Sequence, residues 1–139
     1  MRIFVILAFI CLTATVSFAI DSVSSEKKET ITTKSGLQYT SLREGTGVNP
    51  GPTDTVVVNY RGTLLNGREF DSSYKTGRPV EFKLANVIKC WTEGIQMMKV
   101  GGKAELYCPS HIAYGDEGIM GSIPRYAALT FEVELLGIK

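Results

Sequence analysis

The chain has 139 residues, 15 basic and 14 acidic side chains, a formal net charge of +1 and 44% hydrophobic residues. That balance offers no field to hold a polyanion such as nucleic acid, and the length suits one core. The only histidine, His111, has no second histidine or cysteine pair at ligand spacing, so neither a metal centre nor any other cofactor is expected.

The first residues carry one cation, Arg2, then an apolar run over 3–12, then Val16-Ser17-Phe18-Ala19. Small residues at Ser17 and Ala19 fit an export signal cut after Ala19, and the run falls short of the ~20 apolar residues of a spanning helix. An uncleaved anchor is the competing reading. Ile10 before Cys11 argues against a lipobox. The sequence therefore predicts an exported protein, periplasmic or secreted, with no stable membrane insertion once the signal is removed. Residues 20–35 are Ser, Thr, Lys and Glu with little to bury, which reads as a flexible polar leader, too short and polar for a dimerising helix. A monomer is the default, with one domain over 36–139.

Within that domain, 37–43 reads as a strand, and Gly, Asn and Pro over 45–52 punctuate the chain before a stronger strand over 54–61. Val56, Val58 and Tyr60 share one face of it, because side chains alternate along an extended backbone. Asn66-Gly67 is a turn signal returning the chain toward Phe70-Asp71. Val80, Phe82 and Leu84 alternate over 80–84. Further strands are predicted over 103–108 and 128–136, the latter with Leu129, Phe131, Val133 and Leu135 on one face. Val87, Ile88, Trp91, Ile95 and Met98 follow the three-and-four spacing of one amphipathic helix, with Asn86 as its N-cap, Gly94 weakening its interior and Gly101-Gly102 ending it. The fold class is α+β: a single curled antiparallel sheet wrapped over one short helix, with a cavity between them. Cys90 and Cys108 either pair or remain as buried thiols; spacing alone does not choose.

The residues that carry chemistry are aromatic. Tyr60, Phe70, Asp71, Val87, Ile88, Trp91, Tyr114, Ile123 and Phe131 are spaced so that they could converge without a nucleophile or metal cage, which suits a conformational reaction driven by shape and desolvation. Each also has a plainer reading. Trp91, Tyr60 and Phe131 fit core positions, Asp71 fits a turn cap, and Ser72 and Ser73 have no base to activate them.

The strings Val56-Val57-Val58-Asn59-Tyr60-Arg61-Gly62, Asn66-Gly67-Arg68-Glu69-Phe70-Asp71-Ser72-Ser73, Val87-Ile88-Lys89-Cys90-Trp91-Thr92-Glu93-Gly94 and Ala113-Tyr114-Gly115, in this order, resemble the FKBP-type peptidyl-prolyl cis/trans isomerases over 36–139. Lys34-Ser35-Gly36-Leu37-Gln38-Tyr39 is similar to the bacterial secreted branch with its infectivity-potentiator proteins, whose long N-terminal dimerisation arm has no counterpart here. The resemblance implies an enzyme acting on proline-containing polypeptides and binding macrolides such as tacrolimus or rapamycin. It makes Trp91 the pocket floor, with Tyr60, Phe70, Val80, Val87, Ile88, Ile123 and Phe131 around it. It also places Tyr114 on the rim, with the Ile88 amide and Tyr114 phenol as donors to the ligand and Asp71 beside the twisting imide. Departures are Cys90 where the family generally has Gly, Val80 for an aromatic, and Thr76 for Arg. The alternative function is a non-catalytic binding module or holdase chaperone that grips chains with the same cavity and the apolar loop Ile119-Met120.

Overall fold

The computed structural model describes residues 28–139, so the signal expected over 1–19 and the first half of the expected leader lie outside the described residues. Seven strands, β1 Thr30–Thr32, β2 Gln38–Arg43, β3 Thr55–Leu64, β4 Glu69–Ser72, β5 Val80–Lys83, β6 Lys103–Cys108 and β7 Leu129–Ile138, form one antiparallel sheet. Its order is β1-β2-β6-β7-β3-β4, with β5 paired to β3. One helix, α1 Lys89–Gln96, packs on the inner face.

Period-two alternation builds that face. Val56, Val58, Tyr60 and Leu64 of β3 are buried, as are Leu129, Phe131, Val133 and Leu135 of the neighbouring β7. Ala104, Leu106 and Cys108 continue the layer from β6, and Cys90, Trp91 and Ile95 close it from α1. Removing each such aliphatic side chain from water contributes ~1.5–3 kcal/mol, so the layer fixes strand register more firmly than any surface contact.

Two expectations are corrected. Thr30–Thr32 lies inside the segment expected as a flexible leader, yet Thr30, Ile31 and Thr32 pair with Thr40, Tyr39 and Gln38. The β-branched Thr-Ile-Thr triplet favours extended backbone without needing burial, and its residues remain exposed. The helix is also shorter than expected over 87–98. Val87 and Ile88 are extended, with ψ of 174° and 148°, and Asn86 ends a short 3₁₀ turn, Leu84–Asn86, instead of capping α1. The helix end comes at Gln96, before Gly101-Gly102, where Asn49 Nδ2 donates to the carbonyls of Gln96 and Met98 at 3.0 and 2.8 Å. A side chain from another loop thus satisfies carbonyls that the last turn leaves open.

Gly94 has a reason to sit mid-helix. A Cβ there would lie 2.9 Å from both methyls of Leu106, so only glycine lets α1 approach β6 this closely. Cys90 is one turn earlier on the same helix face, and Cys108 is two residues on along the same strand face. The close approach therefore brings their Cα atoms to 5.8 Å, and the two sulfurs are bonded. Of the readings left open by spacing, the structure takes the bridge.

Candidate active site

A cavity of about 330 Å³ opens between α1, the Leu84–Asn86 turn and the inner faces of β3, β4, β5 and β7. Its lining is Tyr60, Phe70, Asp71, Phe82, Asn86, Val87, Ile88, Trp91, Tyr114 and Phe131. Larger surface depressions, of about 470 and 650 Å³, lie against other residues. Among the described residues, it is the 330 Å³ hollow that gathers the aromatic set with convergent polar groups.

Trp91 is the anchor. It is 4% exposed and meets Tyr60, Phe82 and Phe131 edge to face, with centroids at 5.1, 5.2 and 5.3 Å and interplanar angles of 82° to 83°. Phe70 meets Phe131 in the same manner at 5.6 Å. Glycine enables that last pair: a Cβ on Gly62 would stand 2.5 Å from Phe70 Cζ and 2.9 Å from Phe131 Cε1. The rings interlock because β3 carries no side chain where they cross.

The polar groups sit at the mouth. Tyr60 Oη donates to Asp71 Oδ2 at 2.6 Å, and Asp71 Oδ1 accepts from the Ser72 amide at 2.8 Å. Buried Ser73 ties this corner down, accepting from the Tyr60 amide at 2.9 Å and donating to Asn59 Oδ1 at 3.0 Å. Burial raises the Tyr60 pKa well above its ordinary value, with further help from the hydrogen bond to Asp71 and the Asp71 charge. Burial and then Asp71 raise Tyr114 as well. Both phenols therefore stay protonated at neutral pH, Tyr60 with its proton committed to Asp71. Among the described residues the Tyr114 hydroxyl and the Ile88 amide have no acceptor, so both donors are available to a ligand carbonyl.

A pH dependence follows from Tyr60. The unfolded chain releases this proton near the ordinary tyrosine value of 10.0, while the folded chain holds it to higher pH. The stabilisation is full below that value and is lost as pH climbs toward the folded one. Thermal midpoints should therefore fall in strongly alkaline buffer, and Tyr60→Phe should flatten that fall; an unchanged slope would count against the Tyr60–Asp71 coupling.

Of the residues expected at the site, Tyr60, Phe70, Asp71, Val87, Ile88, Trp91, Tyr114 and Phe131 share the cavity. Val80 and Ile123 do not. Val80 is half-buried opposite Val58, one two-residue step along β5 from the wall, which Phe82 supplies instead. Ile123 is 4% exposed and lines a separate depression with Arg68, Met120 and Pro124, where mutual backbone bonds with Ile119 fold the loop back. Phe82 and Asn86 were missed; the alternation of Val80, Phe82 and Leu84 was the signal for the first. Among the described residues, no group of three or more His, Cys, Asp or Glu is placed to hold a metal ion.

Residues 46–136 match the family described as FKBP-type peptidyl-prolyl cis-trans isomerase. The chain belongs to this family. Over 117 residues it is 50% identical to the FKBP-type peptidyl-prolyl cis-trans isomerase FkpA of Aeromonas hydrophila, covering 84% of this chain and 43% of that protein. It is 40% identical over 118 residues to the outer membrane protein MIP of Legionella longbeachae, covering 85% of this chain and 51% of the relative. The crystal structure of FkpA from Escherichia coli superposes with a TM-score of 0.78 at 46% identity, over 82% of this chain and 53% of that one. This FKBP-type chain thus spans about half the length of the curated relatives it matches.

Proposed function

We propose that the protein catalyses cis/trans isomerisation of Xaa-Pro bonds in exported polypeptides, with the proline ring seated on Trp91. The observation that carries this reading is the aromatic cradle of Tyr60, Phe82, Trp91 and Phe131 beneath two available donors. The imide resists rotation by ~18–20 kcal/mol because of C–N conjugation. A twisted imide loses that conjugation and much of its carbonyl polarity, so a desolvated apolar hollow favours it over the planar form. Each 1.36 kcal/mol of such preference raises the rate about tenfold, and no proton has to move.

In this reading the Ile88 amide, just ahead of α1, and the Tyr114 hydroxyl hold the carbonyls flanking the proline. The hydrogen-bonded Asp71 stands beside the rotating bond. Cleavage after Ala19, a periplasmic or secreted location, a monomeric state and macrolide binding belong to the same proposal. The relative named an outer membrane protein supports the exported location. Among the described residues no helix is long and apolar enough to cross a membrane.

Refolding of a protein limited by proline isomerisation tests it: the mature chain should accelerate the slow phase, and rapamycin should remove the acceleration. Rapamycin binding without acceleration would favour the binding-module alternative, and neither effect would overturn both. Tyr114→Phe should keep the fold, since the residue is 38% exposed, and lower kcat/KM by about tenfold, in line with ~1.4 kcal/mol for one lost hydrogen bond. An unfolded Tyr114→Phe protein, or one of unaltered kcat/KM, would remove Tyr114 from the rim role.

A further inference from the structure

The turn between β1 and β2 touches two pocket-bearing elements at once. Thr33 and Leu37 close it, with the Thr33 amide donating to the Leu37 carbonyl at 2.9 Å and the Gly36 amide to the Thr33 carbonyl at 3.0 Å. At its tip Ser35 Oγ donates to Glu93 Oε2 at 2.6 Å, and Glu93 lies on α1 two residues after the pocket floor Trp91. The Ser35 carbonyl accepts from His111 Nε2 at 2.6 Å. His111 belongs to the 3₁₀ turn Ser110–Ile112, and the Ser110 carbonyl accepts from the amides of Ala113 and Gly115 on either side of the rim residue Tyr114. Thr33 Oγ1, 2.9 Å from Ser35 Oγ, steadies the serine.

One residue therefore bridges the element that carries the floor and the element that carries the rim. None of Ser35, Glu93 and His111 lines the cavity. The same two elements are also joined from inside: Cys90 immediately precedes Trp91, and Cys108 ends β6 two residues before the Ser110–Ile112 turn. One tether is covalent and buried; the other is hydrogen-bonded and partly exposed.

We propose that Ser35, Glu93 and His111 form a clasp that sets the spacing between floor and rim, acting in parallel with the Cys90–Cys108 bond. They are positioning residues for the pocket. A hydroxyl–carboxylate bond is charge-assisted and short, so it suits a fixed spacing better than a contact between exposed side chains in general. Two tethers across one gap also give a specific signature: losing either loosens the backbone beside it but leaves the other to hold the floor-to-rim spacing, so their losses do not add in ligand binding.

The role in ligand binding rests on the cavity being the substrate site, so the test has two arms. The first uses amide exchange in the oxidised protein, with the disulfide intact. Ser35→Ala should speed exchange at Thr92 and Gly115, whose amides donate to Ile88 and Ser110, by about threefold or more while the β3–β7 ladder is unmoved. Unmoved Thr92 and Gly115 overturn the clasp. The second arm measures rapamycin dissociation constants at a temperature where circular dichroism shows every variant folded. Ser35→Ala should weaken binding less than about twofold in the oxidised protein but about tenfold beside Cys90→Ala/Cys108→Ala, with Ser35→Thr restoring it in both. Equal changes in the two backgrounds overturn the parallel arrangement. If the disulfide-free protein does not fold, the exchange arm decides. If the wild-type chain does not bind rapamycin, the assignment of the cavity fails and the exchange arm still decides the clasp.

Discussion

Trp91→Ala should lower the free energy of unfolding by ~3–5 kcal/mol and abolish measurable acceleration of proline-limited refolding. The side chain is 4% exposed, and its three edge-on neighbours lie within 5.3 Å, so truncation leaves a void that Tyr60, Phe82 and Phe131 cannot fill without leaving their own packed positions. Each aromatic pair adds ~0.5–1.5 kcal/mol beyond area burial, which places the loss at the upper end for a core residue. One term opposes it: the indole Nε1 is buried and has no hydrogen-bond partner among the described residues, an arrangement that itself costs ~1–3 kcal/mol. Trp91→Phe removes that unpaired donor while keeping a ring, and should therefore lose less stability than the alanine variant by more than size alone suggests. Urea unfolding followed by far-ultraviolet circular dichroism reads the stability, since the chain has one tryptophan and its fluorescence is gone. A loss below about 1 kcal/mol, typical of a surface substitution, would show that the cavity does not depend on its floor.

The features legible in the sequence were those in which one local rule dominates. Alternation in β3 and β7 is strict, so Val56, Val58, Tyr60, Phe131 and Val133 declare the inner face directly. The aromatic set was legible through its register with a known family, since periodicity alone gives Trp91 and Phe131 the plain role of core residues. What escaped the sequence were places where tertiary contacts override local pattern. Val87 and Ile88 continue the helical spacing of Trp91 and Ile95, yet they are extended. Thr92 Oγ1 donates back to the Leu84 carbonyl at 2.6 Å and pins the preceding turn against the helix. That contact is invisible to a periodicity argument. The choice of Phe82 over Val80 for the wall depends on how β5 is set against β3, and the exclusion of Ile123 depends on a loop that folds back on itself. Gly94 looked like a weakness in the helix because its meaning lies across the interface, at Leu106.

That interface governs the second large effect. Replacing Cys90 and Cys108 together by alanine should cost about 3 kcal/mol, the chain-entropy value for a closed loop with a sequence separation of 18. For a domain of this size the loss corresponds to a fall of roughly 10 °C in the thermal midpoint. The two sulfurs are bonded and carry no free thiol, so alkylation of the denatured, unreduced protein should leave the peptides bearing Cys90 and Cys108 unlabelled. A reductant should reach the bond only through opening of the α1–β6 interface. Because Gly94 sets the approach that brings the two cysteines together, Gly94→Ala should disturb the same gap by pushing on Leu106, and its cost should shrink once the disulfide is absent. A strained wedge has more to distort when a covalent bond holds the gap closed than when the helix is free to drift outward. Equal thermal midpoints for the wild-type and the Cys90→Ala/Cys108→Ala protein, both measured without reductant, would mean that the contacts of Trp91 and Ile95 alone seat the helix on the sheet, and that the bond adds nothing to the folded state.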